Sequence, residues 1–320
     1  MDFGTTSATD EFLMIKSAER KVTAKGMPYL DLLLCDKTGE ISAKLWDYKE
    51  EVQGVFEAGS IVKIRGTISQ YNGVDQLRIE RIRKALPSDE VNPSDFVPSA
   101  DISGETLYNE LMLVAESINN SQIKELVKYI YNEYREKLYF WPAAYKLHHA
   151  IRGGLLYHTL SIVALAQALC KIYPSVNADL LIGGAMLHDI AKIDEFELTD
   201  SGTVSGYSLE GNLVGHIAKG AIVIEKAAEK LGTDNETKLL LQHMVLSHHG
   251  EPEFGAAVRP SFLEAELLSQ LDMIDARVYE VEEAVSATSK GSYTAKMWAL
   301  DNRKFYNHGW NEVSTKAKLI

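Results

Sequence analysis

Apolar and polar positions change rhythm once along this chain. From Glu11 to about Leu86 the period is that of strands. Residues 29–36 form an apolar run, Asp36-Lys-Thr-Gly39 makes a turn, and Glu40-Ile-Ser-Ala-Lys-Leu-Trp46 alternates polar with apolar. That is a hairpin signal. Residues 60–69, a turn at Tyr71-Asn-Gly73 and residues 76–82 continue the pattern. Five short strands in about 75 residues suit a small closed barrel. Residues 87–103 carry Pro87, Pro93 and Pro98 among Ser and Asp, and predict a linker. From Gly104 the period is helical. Leu107, Leu111, Val114, Ala115 and Ile118 share one helix face, and similar patterns recur over 123–138, 155–172, 178–191, 212–230, 236–249 and 262–285. The expected division is 1–86, 87–103 and 104–320.

Composition narrows the class. The chain has 320 residues, 46% hydrophobic and 24% charged, as ordinary soluble globular proteins do. No run is expected to approach the roughly 18 apolar residues that span a bilayer. The first ten residues lack the basic start and apolar core of a secretory signal, and Cys35 and Cys170 stand apart in apolar surroundings, predicting reduced core thiols in a cytoplasmic protein. The net charge of −12 argues against a protein that coats nucleic acid by bulk electrostatics. It leaves room for a local basic groove, or for acidic residues that hold cations.

The chemistry lies in the helical part. All nine histidines fall beyond residue 147. In order come His158, His188-Asp189, His216, His248-His249 and Asp272. Imidazole and carboxylate suit Mn²⁺, Fe²⁺, Co²⁺, Ni²⁺ or Zn²⁺. Asp189 is the natural bridge between two cations, which at about 3.5–4 Å apart can clamp a phosphate undergoing in-line displacement. Lys192, one helical turn after His188, could assist at the water or the phosphate. Taken singly, a histidine on a helix is most often a surface or satisfied core residue. The ordered set, with apolar Leu180-Leu-Ile182 leading into His188-Asp189, is what points to a buried metal site, since ionisable groups there need partners.

His158, His188-Asp189 and Asp272 resemble the HD phosphohydrolase superfamily, within the stretches His148-His-Ala-Ile-Arg-Gly-Gly-Leu-Leu-Tyr-His158-Thr, His188-Asp-Ile-Ala-Lys192-Ile-Asp-Glu195, Gly211-Asn-Leu-Val-Gly-His216 and Ser247-His-His-Gly250. With the barrel in front they resemble, more narrowly, the YhaM-type 3′-5′ exoribonucleases. The resemblance implies a multidomain α+β chain: an N-terminal five-stranded OB-type β-barrel, then an all-α HD domain. It implies metal ligation by His158, His188, Asp189, His216 and Asp272, completed by one or both of His248 and His249. It also implies two ions, with manganese as activator, and phosphate contacts from His149 and Arg152.

Single strands are held by aromatic platforms beside cations. Phe12, Tyr29, Trp46 and Tyr71 are candidate platforms, and Lys16, Lys44, Lys63, Arg65 and Arg78 candidate backbone contacts. Aromatic residues in a small barrel also serve as core, and some such barrels bind protein instead. Residues 298–310, with Lys304, Tyr306 and His308, either pack on the helical domain or flank the substrate path. The expected activity is hydrolysis of single-stranded RNA, or single-stranded DNA, from the 3′ end to 5′-mononucleotides, with no membrane partner and room for a homo-oligomer. A small-nucleotide hydrolase with a structural barrel, or a binding protein with a degenerate HD domain, are the alternatives.

Overall fold

A computed structural model describes residues 8–23, 25–36, 39–71, 74–92, 95–96, 99–100, 102–145, 149–199, 202–311, 313 and 319. The chain forms two compact units, Met1–Ser99 with Glu197–Gly206, and Ala100–Phe196 with Tyr207–Ile320.

The first unit is a closed five-stranded barrel. Strands β1 (Ala8–Val22), β2 (Pro28–Asp36), β3 (Gly39–Trp46), β4 (Ile61–Tyr71) and β5 (Val74–Lys84) lie in the order β1-β2-β3-β5-β4, and a short helix α1 (Glu50–Gln53) sits between β3 and β4. Neighbours are antiparallel except β3 and β5, which pair in parallel at Ser42–Gln76, Ala43–Leu77 and Lys44–Arg78. The alternation read from the sequence places Leu30, Leu32, Leu34, Ile41, Ala43, Leu45, Val62, Ile64, Leu77 and Ile79 inside, because successive strand residues face opposite sides.

The stretch 87–103 differs in part from a bare linker. Phe96 is buried against Met14 and Cys35, and the first unit runs to Ser99. A two-stranded hairpin, β6 (Phe196–Leu198) and β7 (Val204–Tyr207), returns residues 197–206 to that unit. There Thr199 packs so close to Gly59 that a Cβ on that glycine would lie 2.4 Å away. No periodic signal in so short a segment marks this excursion.

The second unit is helical: α2 (Gly104–Ser117), α3 (Ser121–Leu138), α4 (Gly154–Ile172), α5 (Ala178–Leu187), α6 (Lys192–Glu195), α7 (Leu209–Leu213), α8 (Gly215–Leu231), α9 (Asn235–Ser247) and α10 (Leu263–Ser286). Side-chain caps start five of them, from Ser103, Asn120, Asn177, Ser208 and Asp234; each satisfies orphan N–H groups of a first turn. Helices α4 and α5 pack together, and α10 packs on α4, α5 and α9. Contrary to expectation, α4 is long and apolar enough to cross a membrane by composition, but 56% of that window is buried inside the protein. The helix expected over 178–191 stops at Leu187, and that over 212–230 breaks at Gly215, whose φ is +73°. Both breaks serve the site described next.

Candidate metal centre

Side chains from α4, α8, α10 and the turns after α5 and α9 converge on one buried point. Helix α4 supplies His158 and α10 supplies Asp272. The turn after α5 supplies His188 and Asp189, the first turn of α8 supplies His216, and the end of α9 supplies His248 and His249. His158, His188, Asp189 and His248 are at most 2% exposed. Asp272 and His216, with side chains 17% and 13% exposed, form the more open edge.

The imidazoles are oriented from behind. His188 Nδ1 donates to the Ala185 carbonyl at 2.8 Å, His248 Nδ1 to Val245 at 2.7 Å and His249 Nδ1 to Phe254 at 3.0 Å. A carbonyl only accepts, so Nδ1 carries the proton and Nε2 presents a lone pair. His216 Nδ1 meets Glu195 Oε1 at 2.8 Å, and the same oxygen accepts the His216 backbone N–H at 3.1 Å. The positive φ of Gly215 makes that double contact reachable. His158 Nδ1 meets Asp275 Oδ2 at 2.7 Å.

Asp189 divides the cluster. Its Oδ2 lies 3.3 Å from His188 Nε2 and 3.7 Å from His158 Nε2; its Oδ1 lies 3.6 Å from His216 Nε2 and 3.5 Å from His248 Nε2. Asp272 Oδ1 is 3.1 Å from His158 Nε2. One carboxylate therefore faces two donor sets. His158, His188, Asp189 and Asp272 make one; His216, His248, His249 and Asp189 make the other. His216, His248 and His249 present nitrogens within 4.8 Å of one another, so both members of the His248-His249 pair reach the site, a point the sequence leaves open. Asp189 Oδ1, His216 Nε2 and His248 Nε2 are buried with no hydrogen-bond partner. Such orphans are costly, and a divalent cation satisfies them all at once.

Electrostatics agree with cation binding. Burial alone would raise Asp189, but Lys192 and the imidazoles around it outweigh burial and hold its carboxylate well below the usual range. Burial opposes charge on His158 as well, yet hydrogen bonds to Asp272 and Asp275 lift it to about 10. Its proton faces Asp272, in the position a cation would take. Burial lowers His249 to about 3, which keeps it an unprotonated ligand.

Lys192 opens α6 instead of continuing α5, and its Nζ sits 2.7 Å from Asp189 Oδ2. Burial works against its charge, but Asp189 raises its pKa, so it acts as a donor. The phosphate contact expected of His149 is corrected. His149 is 2% exposed and its Nε2 is 2.8 Å from Asp275 Oδ2, behind His158; a residue so enclosed cannot touch RNA. It adopts φ +54°, a strained conformation of the kind that collects at functional sites. The Arg152 guanidinium rests over the Phe140 ring at 4.9 Å. Sequence reasoning missed Asp275, and gave Glu195, the last residue of the His188–Glu195 stretch, no role. Their signal was spacing: Asp275 lies one turn beyond Asp272, and Glu195 one turn beyond Lys192.

On the barrel, Tyr29 and Trp46 face each other with ring centroids 4.8 Å apart, and Lys44 lies over both at 5.1 and 5.6 Å. Arg78 is the register neighbour of Lys44. Arg65 lines a groove of about 520 Å³ with Lys63, Arg81 and Arg83. Phe12 lies beneath Lys63 and Arg83, at 5.3 and 5.9 Å, and Lys16 is paired with Glu40. The Tyr71 side chain lies outside the described residues, as does His148.

Comparison with known proteins yields three family models and a set of close relatives; one model, described as Putative helicase, matches residues 105–177. The model described as HD domain matches residues 155–277, and that described as OB-fold nucleic acid binding domain matches residues 15–85. A protein of Geobacillus sp. (strain WCH70) described as 3'-5' exoribonuclease YhaM is 42% identical over 305 residues, covering 95% of this chain and 93% of its own. Proteins of the same description from Listeria welshimeri and Listeria monocytogenes are each 38% identical over 308 residues, covering 96% of this chain and 97% of theirs.

Proposed function

This chain belongs to the YhaM-type family of 3′-5′ exoribonucleases, and from that premise we propose how its residues carry out the reaction. It is a metal-dependent 3′-5′ exoribonuclease with an OB-fold nucleic-acid-binding barrel and a helical HD domain. The observation that carries the proposal is the division of Asp189: each carboxylate oxygen addresses a different set of histidine nitrogens.

Two divalent ions fit this donor arrangement, one held by His158, His188, Asp189 and Asp272, the other by His216, His248, His249 and Asp189. Carboxylate suits the harder Mn²⁺ and imidazole the borderline cations, and the mixed donor set accommodates Mn²⁺. When bound, such ions polarise a phosphate and lower the pKa of water. The chain's own residues do the rest. Asp275, Glu195 and the three carbonyls hold the imidazoles in the tautomer that exposes Nε2. Lys192, kept protonated by Asp189, donates hydrogen bonds to a phosphate oxygen at the open edge. Hydrolysis then breaks the bond between phosphorus and the 3′ oxygen, releasing a 5′-mononucleotide and leaving a new 3′ hydroxyl. Tyr29, Trp46, Lys44 and Arg78 supply stacking and backbone contacts for a single strand, DNA as well as RNA.

The test uses a 5′-labelled RNA with a single-stranded 3′ tail and a stable stem. Mn²⁺ should give a ladder of products that ends near the stem, and a nucleotide-resolved product of 5′-monophosphates. A chelator should abolish it. Cutting within a circular RNA at a similar rate, or no effect of a blocked 3′ end, would refute the polarity; a single bound ion per chain at full activity would refute the dinuclear arrangement.

A further inference from the structure

The segment after α10 departs from the rest of the chain in two ways. The whole protein has 45 acidic and 33 basic residues, yet residues 287–311 hold Lys290, Lys296, Arg303 and Lys304 against Asp301 alone. The segment also exposes large aromatic rings: Trp310 is 89% accessible, Trp298 75%, Tyr293 65% and Tyr306 49%. Scattered exposed aliphatic residues need no explanation, but clustered exposed aromatic rings do.

The rings are presented by a built element. Residues 291–307 fold back as a loose hairpin, with bridges at Tyr293–Tyr306 and Met297–Arg303. Thr294 N donates to the Phe305 carbonyl at 2.9 Å, and Asn307 N to that of Ser292 at 2.9 Å. The hairpin is fastened to the end of α10 by the buried Asn307 side chain, whose Nδ2 donates to the Thr288 carbonyl at 2.7 Å. Leu300 and Thr294 fill the interior at 4% and 5% exposure. The apolar needs of the hairpin are thus met from within, while Trp298 stands at its tip, Tyr293 and Tyr306 (ring centroids 5.1 Å apart) along it, and Trp310 at its base. Lys290, Lys296 and Lys304 have no carboxylate partner among the described residues.

We propose that this C-terminal hairpin is a second binding surface for single-stranded RNA, separate from the barrel and carried on the catalytic unit. Exposed rings offer stacking platforms for unpaired bases, and unpaired lysines between them match a phosphate backbone. An uncharged or self-associating face would not need that cationic excess in a chain of net charge −12. Helix α10 connects the surface to the chemistry. It carries Asp272 and runs fourteen residues further to Ser286, on the order of 20 Å at 1.5 Å per residue. A strand of several nucleotides spans that length, so the hairpin would hold RNA upstream of the 3′ end being cleaved. The proposal rests on the reading of RNA as the substrate.

The test measures binding of a fluorescein-labelled 12-nucleotide RNA to the full chain by anisotropy, with chelator present to prevent hydrolysis. Trp298→Ala with Trp310→Ala should weaken binding at least tenfold, since each stacked base contributes about fivefold or more; Trp298→Phe with Trp310→Phe should keep affinity within about threefold. Lys296→Gln with Lys304→Gln should reduce the slope of log affinity against log salt by about 1.4. Photocrosslinking of 4-thiouridine RNA to the unaltered protein should give adducts within residues 290–310, which covers the case of a misfolded variant. Unchanged affinity in a folded Ala double variant, or crosslinks only elsewhere, overturns the proposal while leaving the nuclease reading intact. Loss of a dimer in that variant with RNA affinity unchanged assigns the face to a second copy and also overturns it. Failure of the unaltered protein to bind RNA at all overturns both.

Discussion

Asp275 belongs to neither donor set around Asp189, yet should control the metal affinity of the centre. It accepts from His158 Nδ1 at 2.7 Å and from His149 Nε2 at 2.8 Å on one oxygen, and from Ser161 Oγ on the other. Replacing it by Asn keeps the shape and the acceptor oxygen but removes the charge. A hydrogen bond to a charged group contributes about 1.5–3 kcal/mol and a neutral one about 1 kcal/mol. Two imidazole bonds share the affected oxygen, so the loss is about 1–3 kcal/mol. Most of it falls on the metal-bound state, where a less basic His158 is a poorer ligand. Tenfold in affinity corresponds to about 1.4 kcal/mol, so Asp275→Asn should weaken Mn²⁺ binding about 10–100-fold, the range typical of residues that orient metal ligands. The assay is Mn²⁺ titration by calorimetry, paired with the metal dependence of RNA hydrolysis. Half-activation should move to higher metal concentration, and saturating Mn²⁺ should restore much of the rate, because every ligand remains. Ser161→Ala, which leaves both imidazole bonds, should shift half-activation less than the Asn variant. If Asp275→Asn melts like the unaltered protein and binds Mn²⁺ within twofold of it, the orienting role is wrong.

Asp189→Ala should reduce hydrolysis of labelled RNA below a few per cent while circular dichroism stays native, because no neighbouring carboxylate can face both histidine sets. Tyr29→Ala with Trp46→Ala should weaken binding of single-stranded RNA by about tenfold, read by anisotropy; no change would relegate the ring pair to barrel packing. Gly154→Ala places a Cβ 2.0 Å from the His149 carbonyl oxygen, a backbone atom, and should destabilise by about 2–4 kcal/mol in urea. Gly184→Ala meets the Met244 methyl at 2.3 Å, which can swing away, and should cost less than about 1.5 kcal/mol; equal losses would contradict this ranking. In the metal-free protein the His158 pKa is raised to about 10, above its unfolded value near 6.5. Its contribution to stability is therefore full below about pH 6.5 and lost as pH rises through about 10. Metal binding has the opposite dependence and should release close to one proton at pH 8. Calorimetry in buffers of different ionisation enthalpy reads that release, and a buffer-independent heat would exclude it.

The sequence by itself determined both fold classes and most of the metal centre. Period-two alternation dictates a barrel because every second residue must find an interior, and period 3.6 after Gly104 dictates helices that bury one face. The clustering of histidines beyond residue 147, in the order His158, His188-Asp189, His216, His248-His249 and Asp272, pointed to the donors because buried imidazole and carboxylate need a common partner. What only the tertiary structure decided is how those donors are held and shared. That Asp189 offers one oxygen to each histidine set depends on α5 ending at Leu187, and helix termination there follows from convergence of five distant segments, with no local capping signal to read. Asp275 reaches His149 and His158 across 126 and 117 positions, and Glu195 reaches His216 across 21; an acid or imidazole in a helical pattern carries no mark of which distant ring it will face. The return of residues 197–206 to the barrel unit and the aromatic face of the last hairpin are likewise matters of packing. Local periodicity says which side of an element is buried; it does not say which other element will cover it.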